Sequence, residues 1–393
     1  MNFNGNTPIF DSKASYSLIC LSHLRWDFVY QRPQHLLSRF ARQTNVFFFE
    51  EPTFSDEPTH LDVSRREDNL FVIVPRISNA DRENGRVADI ERELLDDFIR
   101  SENIERFVLW FYTPMAMDYA AHLTPLATVF DCMDELSAFK FAPPELIENE
   151  KNLLAKSDLV FTGGHSLFEA KRDKHSKVFA FPSSIDVAHF QQARAITEEP
   201  EDQKNISHPR FGFCGVIDER MDIELLAQAA DLRPDWQFVM IGPVVKISDE
   251  DLPRRANIHY LGGKDYRELP AYLAGWDVAT MPFAINESTR YISPTKTPEY
   301  LAAGKFVIST PVRDVVRPYG ELKLVEIAQT AEEFAAAGDR LLAREKREKT
   351  AWLERVDEFL AAMSWDKTFA EMTGLIDEAI ADKPKAASRA VSS

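Results

Sequence analysis

Short apolar runs recur along the first half of the chain and alternate with stretches of helical periodicity. A strand that is apolar along its whole length is buried on both faces, which is typical of a parallel sheet covered by helices. The predicted strands of this half are YSLICLS (16–22), VFFFEE (46–51), LFVIVP (70–75), FVLWFY (107–112), ATVFDCM (127–133) and DLVFTGG (158–164).

The alternation stops in the polar residues 191–209, which have no periodicity and are predicted to be a linker. It then resumes with a second set of strands and an amphipathic helix, DIELLAQAADL, at 222–232. We therefore predict an α/β protein with two doubly wound domains, residues 1–190 and 210–363, and a disordered tail at 381–393. The strands of the second domain are RFGFCGVI (210–217), WQFVMIGP (236–243), NIHYLG (257–262), WDVATMPF (276–283) and KFVISTPV (305–312).

Composition narrows the class of partner. The 393 residues are 45% hydrophobic, which suffices to bury the cores of two domains. Lys and Arg total 46 against 63 Asp and Glu, a net charge of -17, which argues against nucleic acid as the main partner. An anionic ligand must therefore meet a few local cations. The three cysteines, Cys20, Cys132 and Cys214, lie far apart in apolar runs, which argues against disulfides and zinc and suits a reducing cytoplasm.

The sequence predicts a soluble, cytoplasmic protein. No apolar run approaches the roughly 20 residues of a membrane span, and the polar N-terminal segment lacks the apolar core of a signal peptide. A peripheral contact with the inner face of a membrane stays open, because the basic run EAKRDKHSK (169–177) could meet anionic lipid. A solvated helix face is the alternative interpretation of this run.

The segment SPTKTPEYLAAGK (293–305) predicts a very short apolar helix. Pro298 suits the first helical position, Thr297 the N-cap and Gly304 the C-terminal stop, which gives a helix of about two turns. The free N–H groups at its start favour an anion. The alternative interpretation is a capped helix whose Glu299 lies favourably in the first turn.

The polar side chains around this helix start suit a nucleotide diphosphate. Ser293 and Thr295 add hydroxyls and Lys296 adds an ammonium, and these groups all favour a diphosphate. Glu299 would repel phosphate, but a carboxylate beside an anion site can accept hydrogen bonds from vicinal ribose hydroxyls. The combination indicates a site for a nucleoside diphosphate.

A second candidate in the same domain is GFCGVIDERMD (212–222), a strand that leads through a glycine into a helix. Gly215 permits close backbone approach and Arg220 could bind a phosphate oxygen. We place Gly242, in the run 236–243, on the same donor side. The chain has only 14 glycines and lacks the full Gly-rich fingerprint, which disfavours a Rossmann dehydrogenase.

Acidic residues follow a buried strand of the first domain in FDCMDEL (130–136). At the carboxyl end of a strand they would face the cleft, where Asp131 and Asp134 could act as a base toward a hydroxyl or hold sugar hydroxyls. One alternative is N-capping of the next helix. Metal binding is another, although no cluster at metal-ligand spacing accompanies these acids.

The loop after the first strand, SHLRWDFVYQRPQHLLSRFA (22–41), concentrates cations and aromatic residues. His23, Arg25, Trp26 and Arg32 are typical of a sugar-recognising loop, and we predict that they lie on the acceptor side of the cleft. The alternative is a helix whose aromatic residues pack into the core.

These segments together resemble the GT-B glycosyltransferases, in particular the retaining enzymes of glycosyltransferase family four and their exopolysaccharide-building relatives. The resemblance covers roughly residues 16–375. It is carried by PSSIDVAHF (182–190), similar to the family's hinge, and by GVIDERMDIELL (215–226), similar to its phosphate segment. SPTKTPEYLAAGKFVIST (293–310) resembles the donor motif, and SWDKTFAEMTGLI (364–376) resembles the terminal helix that crosses back onto the first domain.

The resemblance implies a GT-B fold, in which two Rossmann-like domains face a central cleft and helix 364–380 packs on the first domain. It implies transfer, with retention, of a hexose-type sugar from a nucleotide sugar, with UDP favoured over GDP. The acceptor would be the hydroxyl of a sugar or lipid-linked saccharide in cell-surface or exopolysaccharide synthesis. Neither a cofactor nor a metal ion is expected.

The resemblance also assigns roles to residues. Glu299 matches the glutamate that holds the donor ribose, and Arg220 matches the basic residue that binds the diphosphate. The predicted catalytic residues are Asp131, Asp134, Arg220 and Lys296. The predicted donor-binding residues are Gly215, Gly242, Tyr266 near the nucleobase, Ser293, Thr295, Lys296 and Glu299.

Two positions depart from the family pattern. Tyr291 stands eight residues before Glu299, where the family often has another glutamate, and Val216 stands where an arginine is frequent. Two alternatives therefore stay open, a nucleotide-sugar epimerase on the same architecture and a non-catalytic scaffold subunit that binds a nucleotide sugar.

Overall fold

The amino-terminal half of the molecule is built on one nine-stranded sheet. The structure, a computed structural model, describes residues 16–140 and 142–383. The strands of this sheet are β1 Ser17–Ser22, β2 Val46–Glu50, β3 Thr53–Ser55, β4 His60–Glu67, β5 Leu70–Ser78, β6 Phe107–Phe111, β7 Ala127–Cys132, β8 Leu159–Thr162 and β9 Val178–Ala180. They lie in the order β3-β5-β2-β1-β6-β7-β8-β9, and β4 pairs antiparallel with β5 while the other pairs are parallel.

The second half contains a six-stranded parallel sheet. Its strands are β10 Arg210–Cys214, β11 Gln237–Ile241, β12 Ile258–Gly262, β13 Val278–Met281, β14 Phe306–Ser309 and β15 Glu326–Ile327. They lie in the order β12-β11-β10-β13-β14-β15. The order in which successive strands are added to this sheet reverses between β10 and β13, and in the first sheet it reverses between β1 and β6. In doubly wound sheets such a switch point is where ligands bind, beyond the carboxyl ends of the strands.

Helices cover both sheets, and the predicted parallel α/β architecture is confirmed. The short strands β3, β4, β9 and β15 were not predicted, because they are partly exposed and have no continuous apolar run. The helices are α1 Arg32–Ala41, α2 Asn79–Glu83, α3 Val87–Ser101, α4 Met117–Ala120, α5 Glu145–Lys156, α6 His165–Lys171, α7 Val187–Gln191, α8 Ile223–Leu232, α9 Leu269–Ala274, α10 Lys296–Ala302, α11 Arg313–Val315, α12 Ala331–Leu342, α13 Lys346–Leu360 and α14 Trp365–Asp382.

The carboxy-terminal helix α14 packs on the first half of the chain. Its residues Trp365, Met372 and Ile376 are buried in the same apolar core as Leu36 and Phe40 of α1. The tail predicted at 381–393 begins inside this helix, and its residues beyond 383 lie outside the described residues. Within the described part of the chain, no helix is long and apolar enough to cross a lipid bilayer.

The predicted linker, residues 191–209, is packed against the second sheet. Gln203 is fully buried, where it accepts a hydrogen bond of 2.9 Å from Trp276 Nε1 and donates one of 3.0 Å to the Tyr272 carbonyl. Arg210 Nη1 lies 2.6 Å from the Glu199 carboxylate. A buried indole N–H needs an acceptor, and the polar composition of this segment supplies one.

A buried ion pair ties α1 to the first sheet. Arg32 donates through Nε and Nη2 to the Asp131 carboxylate at 2.8 to 3.1 Å, and through Nη1 to the Phe181 carbonyl at 2.8 Å. The Arg32 side chain is 2% exposed and that of Asp131 is fully buried. One guanidinium thereby joins α1, β7 and the segment after β9.

We predict that Asp131→Asn strongly destabilises the protein, by about 3 to 5 kcal/mol, because Arg32 then keeps a buried charge without its counter-ion. The measurement is the free energy of unfolding in urea. Asp366→Asn is the control, since Asp366 pairs with Arg39 at 2.8 Å but is 70% exposed, and we expect a loss of at most about 1 kcal/mol there. Equal losses in the two variants would contradict the structural role of the buried pair.

Candidate active site

Loops that follow the carboxyl ends of the two sheets contact each other, so both sheets face one cleft. Tyr30, after β1, stacks on Tyr266, after β12, with ring centroids 4.6 Å apart. The Phe139 ring, after β7, lies 4.7 Å from Lys246 Nζ, after β11. The cleft therefore joins the edges of both sheets at which a doubly wound fold binds ligands.

A second contact across the cleft involves the loop after β8. The Ser166 N–H donates to the Asp314 carboxylate at 3.1 Å. Gly164 makes the close approach feasible, because a Cβ there would lie 2.4 Å from Asp314 Oδ2 and 2.7 Å from Ser293 Cβ. Ser293, a predicted donor-binding residue, thus lies against the first half of the molecule.

The position of α10 is set by one tyrosine hydroxyl. Pairing between β10 and β13 ends at Gly212, and the backbone of Cys214 has no strand partner on that side. Tyr300 Oη takes the place of a strand, since it accepts from the Cys214 N–H at 2.7 Å and donates to the Cys214 carbonyl at 3.1 Å. The helix that carries the predicted donor motif is thereby fixed at the carboxyl end of the central strand.

Lys296 and Glu299 form an ion pair in the first turn of α10. Lys296 Nζ lies 2.7 Å from Glu299 Oε2, and the side chains are 18% and 7% exposed. Burial raises the pKa of Glu299, and the neighbouring ammonium opposes this rise. Burial alone would lower the pKa of Lys296, but Glu299 and Cys214 together outweigh it and the pKa is raised. Each group is the counter-ion of the other. A ligand with both a phosphate and hydroxyls could replace this pairing, with the phosphate at Lys296 and the hydroxyls at Glu299.

The start of α10 differs from the predicted one. The helix begins at Lys296, with Thr295 at the N-cap position but without a capping hydrogen bond from its side chain. Thr297 is fully buried, and its hydroxyl contacts Met281 Sδ at 3.5 Å, so it is not the N-cap. Gly304 does end the helix, with a φ of 73°. The Thr295 hydroxyl is therefore not used as a cap.

The loops after β10 and β11 touch at their glycines. A Cβ on Gly242, which has a φ of 145°, would lie 1.7 Å from the Gly215 carbonyl oxygen. Only glycine fits there, so packing of the two loops explains the residue. Arg220 lies in the first of these loops, where its guanidinium is 2.7 Å from the Asp218 carboxylate. Donor contacts of Gly215, Gly242 and Arg220 stay predictions.

Tyr266 lies at the centre of an aromatic cluster at the hinge side of the cleft. It stacks on His189 at 4.4 Å between centroids, and His35 meets its edge at 5.7 Å. His35 in turn stacks on Trp365 of α14 at 4.7 Å. The Tyr266 hydroxyl is buried without a hydrogen-bond partner, and Glu299 is near enough to contribute, after burial, to its raised pKa. A ligand held by Glu299 would lie beside this hydroxyl.

His23 and Asp134 are the predicted first-domain residues that face the charged part of the cleft. Burial lowers the pKa of His23 to about 4, and Lys246 contributes to this shift. Burial raises the pKa of Asp134, while Arg220 opposes the rise. Lys246 therefore acts on both His23 and Asp134, and Arg220 acts on Asp134.

The structure contradicts the prediction that Asp131 and Arg32 serve the site. Asp131 is fully buried and its two oxygens are occupied by the Arg32 guanidinium, so it cannot receive a proton from an acceptor. Arg32 cannot reach the cleft for the same reason. The sequence error arose because the carboxyl end of β7 was taken to be exposed, whereas α1 and the segment after β9 cover it.

Arg25 and Trp26 are also engaged within the first half. Arg25 Nη1 donates to Glu50 at 2.9 Å and to the Glu51 carbonyl at 2.6 Å. Trp26 is 9% exposed and packs edge-on against Phe48, with centroids 5.2 Å apart. Core packing, the alternative interpretation of this loop, therefore describes Trp26 better than acceptor contact does.

Three residues at the cleft were not predicted as site residues, namely Lys246, Phe139 and Glu219. The ring of Phe139 lies near both Lys246 and Arg220, at 4.7 and 5.7 Å. Lys246 has a φ of 63°, which is uncommon for a non-glycine residue. No spacing rule indicates these residues, because they follow different strands and meet only in the folded molecule. Among the described residues, no group of three or more His, Cys, Asp or Glu is arranged to hold a metal ion.

We predict that Tyr300→Phe lowers the free energy of unfolding by about 1 to 3 kcal/mol, because the buried N–H and C=O of Cys214 lose their partner. Urea unfolding measures the change. Tyr260→Phe is the matched control, since its half-buried hydroxyl makes a single bond of 3.3 Å to the Pro253 carbonyl. A loss no greater than that of the control would show that the hydroxyl does not hold α10.

We predict that acid destabilises the protein partly through His35. Burial lowers its pKa from 6.5 to about 3, and the positive charges of Arg39, Lys296 and His189 act in the same direction. The folded state therefore binds fewer protons than the unfolded chain, so this contribution to stability is complete above pH 6.5 and is lost as the pH falls toward 3. The free energy of unfolding should fall by up to about 1.4 kcal/mol per pH unit for this ring.

His35→Phe, which keeps an aromatic ring between Tyr266 and Trp365, should reduce that slope in urea unfolding between pH 6.5 and 4.5. His23 remains in the variant and titrates in the same direction, so part of the slope should persist. An unchanged slope would contradict the assignment.

Part of the chain is similar in sequence to known glycosyltransferases. Residues 208–344 match the family "Glycosyl transferases group 1". The chain is 26% identical over 241 residues to the "Putative teichuronic acid biosynthesis glycosyltransferase TuaH" of Bacillus subtilis (strain 168). This match covers 55% of the present chain and spans 59% of the length of that relative.

Solved structures share the architecture over nearly the whole chain. The sucrose-phosphate synthase of Thermosynechococcus elongatus has a TM-score of 0.70 at 16% identity, over 94% of this chain and 100% of that one. A UDP-forming trehalose-phosphate synthase from Burkholderia xenovorans has a TM-score of 0.67 at 12% identity, with the same coverage of 94% and 100%. The predicted GT-B fold is confirmed by these structures, and residues 208–344 are similar to the glycosyl transferases group 1 family.

Proposed function

We propose that the protein is a glycosyltransferase that moves a hexose-type sugar from a nucleotide sugar, with UDP favoured, to an acceptor hydroxyl. The observation that carries the proposal is the buried Lys296–Glu299 pair at the carboxyl end of β10, where the strand order reverses. It lies inside the segment that matches a glycosyltransferase family. The relative named for teichuronic acid biosynthesis favours a saccharide or lipid-linked saccharide acceptor in cell-surface polysaccharide synthesis.

The two cations of the donor side are each held by a carboxylate in the structure. Lys296 pairs with Glu299, and Arg220 pairs with Asp218 at 2.7 Å. A diphosphate would replace these partners at the cations, and the released Glu299 would accept hydrogen bonds from ribose hydroxyls. An acidic protein can hold an anion in this way, because the local cations are already positioned and their present pairs are exchangeable.

The proposed reaction is the attack of an acceptor hydroxyl on the anomeric carbon of the donor sugar. The bond from that carbon to the diphosphate breaks, and the diphosphate leaves with a growing negative charge. Arg220 and Lys296 stabilise this charge, so that the reaction proceeds without a metal ion and, as the resemblance implies, with retention. Asp134, the predicted first-domain carboxylate that stays at the cleft, would take the proton of the acceptor hydroxyl as the new bond to the anomeric carbon forms, and its raised pKa makes it a stronger base than an ordinary aspartate.

Contacts across the cleft would exclude water from the reacting carbon. Tyr30 covers Tyr266, and Phe139 covers Lys246. Water competes with the acceptor and hydrolyses the donor, so a covered site favours transfer.

We predict that UDP binds in isothermal titration calorimetry and that Lys296→Met weakens it at least tenfold, because a charge on the diphosphate loses its partner. Glu299→Gln should weaken UDP binding by a similar factor, because the ribose hydroxyls lose a charged hydrogen-bond acceptor. Lys204 and Glu201 are an exposed ion pair that is also three residues apart, and they provide the controls Lys204→Met and Glu201→Gln, which should leave UDP binding unchanged.

Product analysis with UDP-glucose and UDP-galactose, with and without saccharide acceptors, separates the alternatives. Interconversion of the two donors without an acceptor would indicate an epimerase, and binding without turnover would indicate a scaffold subunit. A folded protein that binds neither UDP nor GDP would overturn the proposed function.

A further inference from the structure

Glu219 is a buried carboxylate whose hydrogen-bonding capacity is unused. Its side chain is 4% exposed, and neither carboxylate oxygen has a hydrogen-bond partner. The nearest cation is Lys246, whose Nζ lies 4.0 Å from Oε1, beyond hydrogen-bond distance. Buried carboxylates are normally paired or bonded to several donors, so an unsatisfied one at a cleft indicates that its donors arrive with a ligand.

A second unsatisfied group faces the same lysine from the opposite half of the molecule. His23 Nδ1 is buried without a hydrogen-bond partner. Burial, with a smaller contribution from the charge of Lys246, lowers the pKa of His23 to about 4, so the ring is neutral at neutral pH. One side chain from each half, Glu219 and His23, therefore has buried polar atoms without a hydrogen-bond partner, although the His23 ring also interacts with the Tyr112 backbone.

The position of Glu219 relates these groups to the donor. It directly precedes Arg220, which we propose binds the diphosphate, in the loop after β10. A sugar attached to that diphosphate would lie next to this loop, between the two halves. We propose that Glu219 and His23 form a hydroxyl-binding subsite for the transferred sugar, and that this sugar is a neutral hexose and not a hexuronic acid. The inference rests on the proposed function and names the substrate class of that site.

Charge decides between the ligands that a carboxylate could take. A cation is disfavoured, because Lys246 and Arg220 both lie beside Glu219. An anionic sugar is disfavoured as well, because the diphosphate would already engage Arg220 and the sugar carboxylate would meet Glu219, which has no counter-ion in hydrogen-bond contact. A neutral sugar supplies several O–H donors at the spacing of a carboxylate and adds no charge.

The test compares ligands with and without the sugar. Calorimetry with UDP, UDP-glucose and UDP-glucuronate is run on the wild type, Glu219→Gln and His23→Phe. Both substitutions should leave the affinity for UDP unchanged and lower the affinity for UDP-glucose at least fivefold. The wild type should bind UDP-glucuronate at least tenfold more weakly than UDP-glucose, and Glu219→Gln should narrow this difference. Glu224→Gln is the control, because Glu224 is exposed on the neighbouring helix α8 and should alter no affinity.

Stability gives a second readout, which distinguishes a ligand-binding acid from a structural one. Glu219 has no hydrogen-bond partner in the protein and only a distant cation, so Glu219→Gln should leave the melting temperature of the free protein unchanged or raise it. A clear drop in melting temperature, or equal weakening of UDP and UDP-glucose, overturns the subsite while the proposed function stands. Failure of the wild type to bind UDP or GDP overturns the proposed function, and the subsite falls with it. Preferred binding of UDP-glucuronate by the wild type overturns the assignment of a neutral sugar.

Discussion

The geometry of the cleft depends on how the backbone of β10 is satisfied at its carboxyl end. On the side of β13 the pairing stops at Gly212, and a buried amide two residues later would lack a partner. The hydroxyl of Tyr300 serves both the N–H and the C=O of Cys214, so the start of α10 is held against the strand end. This contact fixes the first turn of α10, with Lys296 and Glu299, beside the loop that follows β10.

Charge is arranged differently in the interior and at the cleft. In the interior, each buried cation directly contacts a carboxylate. Arg32 pairs with Asp131 and holds α1, and Lys171 lies 2.7 Å from both Glu135 and Glu150, between α5 and α6. At the cleft, the cations have acidic neighbours with unused acceptor capacity. An overall acidic chain can therefore bind an anion, because its cations are locally concentrated and can exchange one partner for another.

The two halves meet through loops, and these contacts are of mixed chemistry. A backbone N–H of α6 bonds to Asp314, aromatic rings stack between Tyr30 and Tyr266, and a cation lies over the Phe139 ring. Contacts of this kind are weaker than a continuous apolar core, which suits halves that separate to admit a substrate and approach again. The unsatisfied Glu219 and His23 lie where the halves approach.

Local patterns in the sequence determined the parallel α/β architecture and the segment that forms α10, because apolar periodicity and helix punctuation act over a few residues. They also indicated Lys296 and Glu299, which are three residues apart on one helix. The surroundings of Asp131 were decided only by the tertiary structure, since its partner Arg32 is 99 residues away in sequence. The same holds for Lys246 and Glu219, which follow different strands. Burial and pairing depend on which segments cover a strand end, and that is a property of the packed chain.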